Sequence, residues 1–520
     1  MASKGTQRPN VLCFVTDQQR HDHMGCAGNP ILQTPNIDRL ARSGMRFERC
    51  YVNNPVCMPS RSTMWTGQTP SVHRVHCNGI PLDPSIPTIV SALGEAGYRT
   101  HGVGKFHLSP FHSLNGADVT ALDPAAWPES KQMWRAGRIS ALPTPYYGLQ
   151  SAILVGGHGD FIWGDYRRWL MHEAPWVVRR IEEWVAQVGR EDWETMGPSH
   201  IPVELHHSGW IADRAIEFLE EQRTTGQPFF CWCSFPDPHH PYHAPEPYHS
   251  MYDAADMPEP VRREGELDDL PPHFRRIQDE AMRVGGLTGP VTRFYGHTPE
   301  IMARTYGMVS QVDVHVGRVM SALQELGLRD NTLVVYLSDH GDLMGDHWLQ
   351  QKGPFHFDGL IRVPFIWSWP GHVAPDTVDG RVVSILDFAP TILDLCSVPI
   401  PEGLRPVEPL IPVEIDAWPG CSLRSNLVGG EVAGRDGVLV ENDADYLGLR
   451  LRTLVTERYR LTWYAGQPYG ELFDLQEDPQ ELYNRWDDAG YRCVRDELVA
   501  HLLDQVVMSD PRLPRRLSKA

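Results

Sequence analysis

The sequence lacks the marks of a membrane or exported protein. None of its apolar runs approaches the ~18 residues that cross a bilayer, and Met1 to Asn10 carries no apolar leader core. These absences predict a cytoplasmic protein. The cysteines at 13, 26, 50, 57, 77, 231, 233, 396, 421 and 493 are too scattered for a disulfide framework and are expected to be reduced thiols. Cationic residues are scarce as well, 47 Lys and Arg against 66 Asp and Glu, so the formal charge is -19. Neither nucleic acid nor an acidic membrane surface is an expected partner of such a body. An anionic substrate would need a local cationic pocket. Internal repeats are absent too.

What is present fits a large core: 520 residues, 41% of them hydrophobic. Three short, continuous apolar runs, Val11–Val15, Phe229–Phe235 and Thr332–Leu337, read as strands buried on both faces of a mostly parallel sheet. Each ends in polar groups: Asp17 and Gln18 after the first, His239 and His240 after the second, Asp339 and His340 after the third. Strand ends of that kind line the ligand crevice of open α/β sheets. Cys231 and Cys233 fall on one face of the second run and read as core residues rather than metal ligands.

The stretch Asn54 to Gly67 reads as a loop leading into a helix, with Pro59 at its first position and Gly67 as a left-handed stop. The Cys57 sulfur then lies where unsatisfied backbone N–H groups converge, a location suited to anions. A cysteine so placed is by itself more often an inert core thiol. Cysteine phosphatases put an arginine six positions after the cysteine, where this chain has Thr63.

Cys57-Met58-Pro59-Ser60-Arg61 resembles the C-x-P-S-R signature of type I sulfatases, formylglycine-dependent members of the alkaline phosphatase superfamily. Further segments match in that family's order. Thr34-Pro35-Asn36-Ile37-Asp38-Arg39-Leu40-Ala41 resembles its T-P-N-x-D-x-L-A, and Gly104-Lys105-Phe106-His107-Leu108 its G-K-W-H-L with Phe for Trp. The segment Ser234 to Pro241 resembles S-F-x-x-P-H-x-P. Ser338-Asp339-His340-Gly341-Asp342, Gly345 to Lys352 and Arg362-Val363-Pro364 follow, and Leu472 to Asn484 resembles a C-terminal L-F-D-L-x-x-D-P signature.

The resemblance implies an α/β fold: a large, mostly parallel sheet sandwiched by helices over residues 1–400, and a smaller α+β subdomain with an antiparallel sheet over 401–520. Pro399 to Pro412 reads as the linker, and Pro511 to Ala520 as a basic tail, loose or an oligomer arm. Residues 109–201, rich in Trp and Tyr, form an insertion that could be a lid or packed filler.

The resemblance also assigns roles. A maturing formylglycine-generating enzyme would oxidise Cys57 to an aldehyde. Asp17, Gln18, Asp339 and His340, with residue 57, would hold one divalent ion, Ca²⁺ first and Mn²⁺ second, as Lewis acid. Of two hydroxyls on the hydrated aldehyde, one would attack sulfur with Asp339 as base. His239 or Lys352 would protonate the leaving oxygen, and His107 would release sulfate by taking the second hydroxyl's proton. Lys105, Lys352 and Arg61 would balance the anion. The implied activity is hydrolysis of aryl or alkyl sulfate monoesters by a homo-oligomer. Phosphonate monoester and phosphodiester hydrolases are the alternative: they share an asparagine resembling Asn78 but lack the Lys105/His107 pair.

Overall fold

The computed structural model describes residues 8–112, 118, 120–188, 196–280, 297–401, 420–430, 435–444 and 448–509. Its sheet explains the apolar runs. Strand β1 (Asn10–Thr16) is paired in parallel on both edges and packed against on both faces, so it has no solvent face to carry polar residues. Its alternate side chains instead serve two cores. Val11, Cys13 and Val15 join Trp65, Ile89 and Phe388 on one side, while Leu12 and Phe14 join Ile211, Phe218, Val312 and Val319 on the other.

The remaining strands are β2 (Met45–Tyr51), β3 (Arg99–Gly104), β4 (Ser151–Gly156), β5 (Trp163–Gly164), β6 (Met196–Pro198), β7 (Phe229–Ser234), β8 (Tyr242–Ala244), β9 (Thr332–Ser338), β10 (Arg362–Val363), β11 (Phe365–Ser368) and β12 (Thr377–Ser384). Nine of these join β1 in the ten-stranded main sheet among the described residues. β9, β1, β7, β3 and β4 run parallel, side by side, and β12 is parallel to β2. β10 and β11 lie antiparallel beside β2 on either side of Pro364, and β5 is antiparallel to β4. β6 and β8 form a separate pair. The helices Cys57–Thr66 and Phe388–Leu395 cover one face; His207–Gln222 and Thr298–Glu325 cover the other.

The segment expected to be an insertion is built into this body. It supplies two strands of the sheet and the helix Asp165–Glu173, and its aromatics pack: Trp163 and Tyr166 are buried, and Trp163 Nε1 donates to the Glu129 carbonyl at 2.9 Å. Cys231 and Cys233 are core residues of β7, as expected.

A second sheet of four antiparallel strands, β13 (Val438–Ala444), β14 (Leu449–Val455), β15 (Tyr459–Tyr464) and β16 (Gly470–Asp474), packs Leu454, Leu461 and Leu472 against Leu498 and Leu502 of the helix Arg492–Met508. It also grips the strap before Cys57. Asn53 Nδ2 donates to the Leu439 carbonyl at 2.9 Å, and Asn54 Nδ2 to the Glu441 carbonyl at 2.8 Å. The expected linker and basic tail lie mostly outside the described residues. No described helix is long and apolar enough to cross a membrane.

Candidate active site

Register brings the chemistry together. Thr16 pairs with Ser338 and Val15 with Ser234, while Gly104 pairs with Ser234. The carboxyl ends of β9, β1, β7 and β3 are therefore level, and each strand delivers its next residues to one place: Asp339 and His340, Asp17 and Gln18, His239, and Lys105. Gly104 makes the last of these possible. Its φ is +108°, and a Cβ there would lie 1.7 Å from the Ser234 carbonyl oxygen.

The helix that presents Cys57 begins at Cys57 itself, two residues before the expected Pro59, and ends at Gly67 with φ +64°. Proline is tolerated here because the first-turn N–H groups have no intrahelical acceptor anyway. Asn78, expected to touch substrate, serves this helix start: its Oδ1 accepts the Met58 N–H at 3.0 Å.

Around Cys57 Sγ lie Lys352 Nζ at 3.1 Å, His340 Nε2 at 3.2 Å and Asp17 Oδ1 at 3.8 Å. Burial and Asp17 push the thiol up, but Lys105, Lys352 and His340 outweigh them and bring it down to about 7. Arg61, fully buried one turn on, donates from Nε to Asp339 Oδ2 at 2.7 Å and from Nη1 to the Lys105 carbonyl and Ser234 Oγ, both at 3.0 Å. Its Nη2 lies 3.4 Å from Asp17 Oδ2, which also accepts from Lys105 Nζ. Burial would raise the Asp17 carboxyl; Lys105, His239, His158 and Arg61 hold it well below the usual range.

Gln18 bridges the other flank. Its backbone N–H donates to Asp339 Oδ1 at 3.1 Å, its Oε1 accepts from Lys352 at 3.1 Å, and its Nε2 donates to Asp342 Oδ2 at 2.6 Å. Lys352 Nζ also lies 2.8 Å from His239 Nε2, while His239 Nδ1 donates to the His240 carbonyl at 2.5 Å. Burial, then neighbouring imidazoles and Lys352, push His239 well below its ordinary value. His107 follows Lys105 with φ +57° and stacks on Phe111, centroids 3.7 Å apart. Among the described residues its Nδ1 has no hydrogen-bond partner, and burial followed by Lys105 and Arg61 pushes its pKa well down.

Asp17, Cys57, Asp339 and His340 each present a ligand atom within 4.8 Å of the others, all buried. Two carboxylates, an imidazole and the residue-57 side chain are a donor set that fits a hard or borderline divalent ion. A family model described as sulfatase matches residues 9–398.

The chain belongs to the sulfatase family.

This sulfatase is 27% identical to an arylsulfatase of Clostridium perfringens over 93% of its own length and 92% of that protein. It is 29% identical to a multifunctional alkaline phosphatase superfamily protein of Trinickia caryophylli, covering 94% and 93% of the two chains. Among solved structures it resembles the phosphonate monoester hydrolase of Agrobacterium radiobacter with a TM-score of 0.74, 28% identity and 96% of each chain covered.

The sulfatase site also contains residues to which the motifs gave no role. Asp342 orients Gln18. Glu129, fully buried, accepts the N–H groups of His107, Leu108 and Ser109 at 2.8–2.9 Å and the Tyr146 hydroxyl at 2.6 Å, so it braces the loop that carries His107. His158 follows β4 and contacts Lys105. A signal for His158 was present: Ile153-Leu154-Val155 is another apolar run, and the residues after it obey the same strand-end rule that pointed to Asp17.

Proposed function

We propose that this sulfatase hydrolyses aryl or alkyl sulfate monoesters at residue 57, after a formylglycine-generating enzyme has oxidised Cys57, with one divalent ion held by Asp17, Gln18, Asp339, His340 and residue 57. The observation that carries the reading is the cationic shell at the Cys57 helix start. Arg61, Lys105 and Lys352 are gathered, buried, against Asp17, Asp339 and Cys57 in a chain of net charge -19.

The ion would supply Lewis-acid charge to a sulfate oxygen, and the hydrated aldehyde a nucleophilic hydroxyl. The chain's own groups do the rest. Lys105 and Lys352 approach from separate elements, the end of β3 and the loop after β9, and offer ammonium protons to the anion where solvent is excluded. Lys352 Nζ lies 2.8 Å from His239 Nε2, within hydrogen-bond reach, so a proton held by this pair would be available to the leaving oxygen. His107, with an unpartnered Nδ1 and a strongly lowered pKa, is a base able to take a hydroxyl proton. Arg61 fixes Asp339 and, through the Lys105 carbonyl, the direction of Lys105. Asn78 holds the start of the nucleophile's helix through its Oδ1, which leaves its Nδ2 as the group that would meet substrate.

A phosphonate monoester or phosphodiester hydrolase is the second reading, favoured by the likeness to the Agrobacterium enzyme. The Lys105/His107 pair supports the first. Purified, matured protein assayed on an aryl sulfate and an aryl phosphonate monoester tests the choice. The proposal expects the sulfate to be the better substrate, and a phosphonate preference of about a hundredfold, ~2.7 kcal/mol in the barrier, would reverse it.

A further inference from the structure

His158 is a buried imidazole of the site's central cluster to which the proposed reaction gives no task. It sits in the turn after β4, between two glycines whose conformations tie it down: Gly157 has φ +91° and Gly159 φ +53°. A Cβ on Gly157 would lie 2.2 Å from the Phe161 carbonyl oxygen, and one on Gly159 would lie 2.9 Å from the Pro241 ring. The turn therefore holds His158 in one place.

In that place its Nε2 lies 2.8 Å from Lys105 Nζ and 3.7 Å from Asp17 Oδ2. Its ring lies flat on His239, centroids 3.5 Å apart and planes 9° apart, with Phe111 beyond it at 6.3 Å. His239 in turn lies 2.8 Å from Lys352 Nζ. The site thus holds two lysine–imidazole pairs, Lys105 with His158 and Lys352 with His239, joined through their stacked rings.

A lysine ammonium is a point charge with three donors on a flexible stem, so one acceptor leaves it free to swivel. Asp17 supplies one acceptor to Lys105. We propose that His158 supplies the second and so acts as the positioning residue of Lys105, braced by His239, aiming the third ammonium proton at the substrate's anionic group. The inference rests on the sulfate-ester reading for the identity of the anion.

The test compares wild type with His158→Phe, which keeps a stacking ring but no acceptor, and His158→Gln, which keeps an acceptor at similar reach. On the full-length, matured enzyme, His158→Phe is expected to lower kcat/KM for an aryl sulfate about tenfold and to weaken calorimetric binding of inorganic sulfate by a similar factor. His158→Gln should recover most of both, at an unchanged melting temperature. A Phe variant that binds sulfate and turns over like wild type overturns the proposal. So does a loss that only tracks the folded fraction, with Gln no better than Phe. A wild type that binds sulfate but cleaves no sulfate ester defeats the proposed function alone, since the sulfate-binding comparison still decides the role of His158.

Discussion

The sulfur of Cys57 is surrounded by cations before any maturation, and that has a consequence for the unmodified chain. Lys105, Lys352 and His340 lower the thiol to about 7 against burial and Asp17. In protein made without the maturing enzyme, alkylation of Cys57 should rise with pH to half its maximum near 7. Lys352→Ala should move that midpoint upward, because removing a neighbouring cation destabilises the thiolate. An alkylation profile for Cys57 unchanged by Lys352→Ala would contradict this electrostatic picture. At this scale the site was legible wherever a side chain follows an apolar strand, as for Asp17, His239 and Asp339, whereas Lys105 was found through its motif alone, since the strand before it is not an apolar run. The hold of Asn78 on the Met58 N–H was not legible, because which backbone group an asparagine meets depends on the turn before it, which leaves no pattern in composition.

Two elements decide whether these residues meet. The β3 end must pass within touching distance of β7, and only glycine fits at 104. Gly104→Ala adds both a left-handed strain and a collision with the Ser234 carbonyl, so a loss of about 2 kcal/mol or more in chemical denaturation is expected. A variant as stable as wild type would mean that β3 and β7 are not registered as described. The loop after β3 depends on Glu129, whose two oxygens collect three backbone N–H groups and a tyrosine hydroxyl. Glu129→Ala leaves those donors buried without acceptors, at a cost of about 1–3 kcal/mol each where water cannot enter. Turnover should fall with it, since Lys105 and His107 ride on that loop; intact activity would remove Glu129 from the account. Glu129 was illegible because a carboxylate that satisfies backbone groups carries no spacing signature. The helix start was misplaced for a related reason: the rule for proline favours the first position, yet the whole first turn accepts it.

Across the whole molecule, burial of histidine sets the response to acid. His23, His101, His206 and His207 are each pushed by burial from 6.5 to about 3. The unfolded chain takes up these protons first, so the stability they contribute is complete above 6.5 and is lost as pH falls toward 3. Between 6.5 and 5 each removes about 2 kcal/mol, together a large part of a typical domain's stability. The melting temperature should therefore fall steeply from pH 6.5 to 5, above the carboxylate range; a flat profile would contradict the burial of these rings. The sheet was read as mostly parallel, and its centre is. The antiparallel β10, β11 and β5 were missed because strands of two to four residues are too short to show a period. Within the aromatic section β4 joins the main sheet by pairing with β3, a contact between residues far apart in sequence that leaves no local pattern. The central claim is that an aldehyde at position 57 performs the hydrolysis. It is tested most directly by measuring aryl sulfate turnover, at saturating divalent metal, in preparations that differ in the aldehyde content of the residue-57 peptide as read by mass spectrometry. The account predicts a rate proportional to that content and close to zero for the unmodified cysteine; an unmodified preparation turning over as fast as a matured one would contradict it.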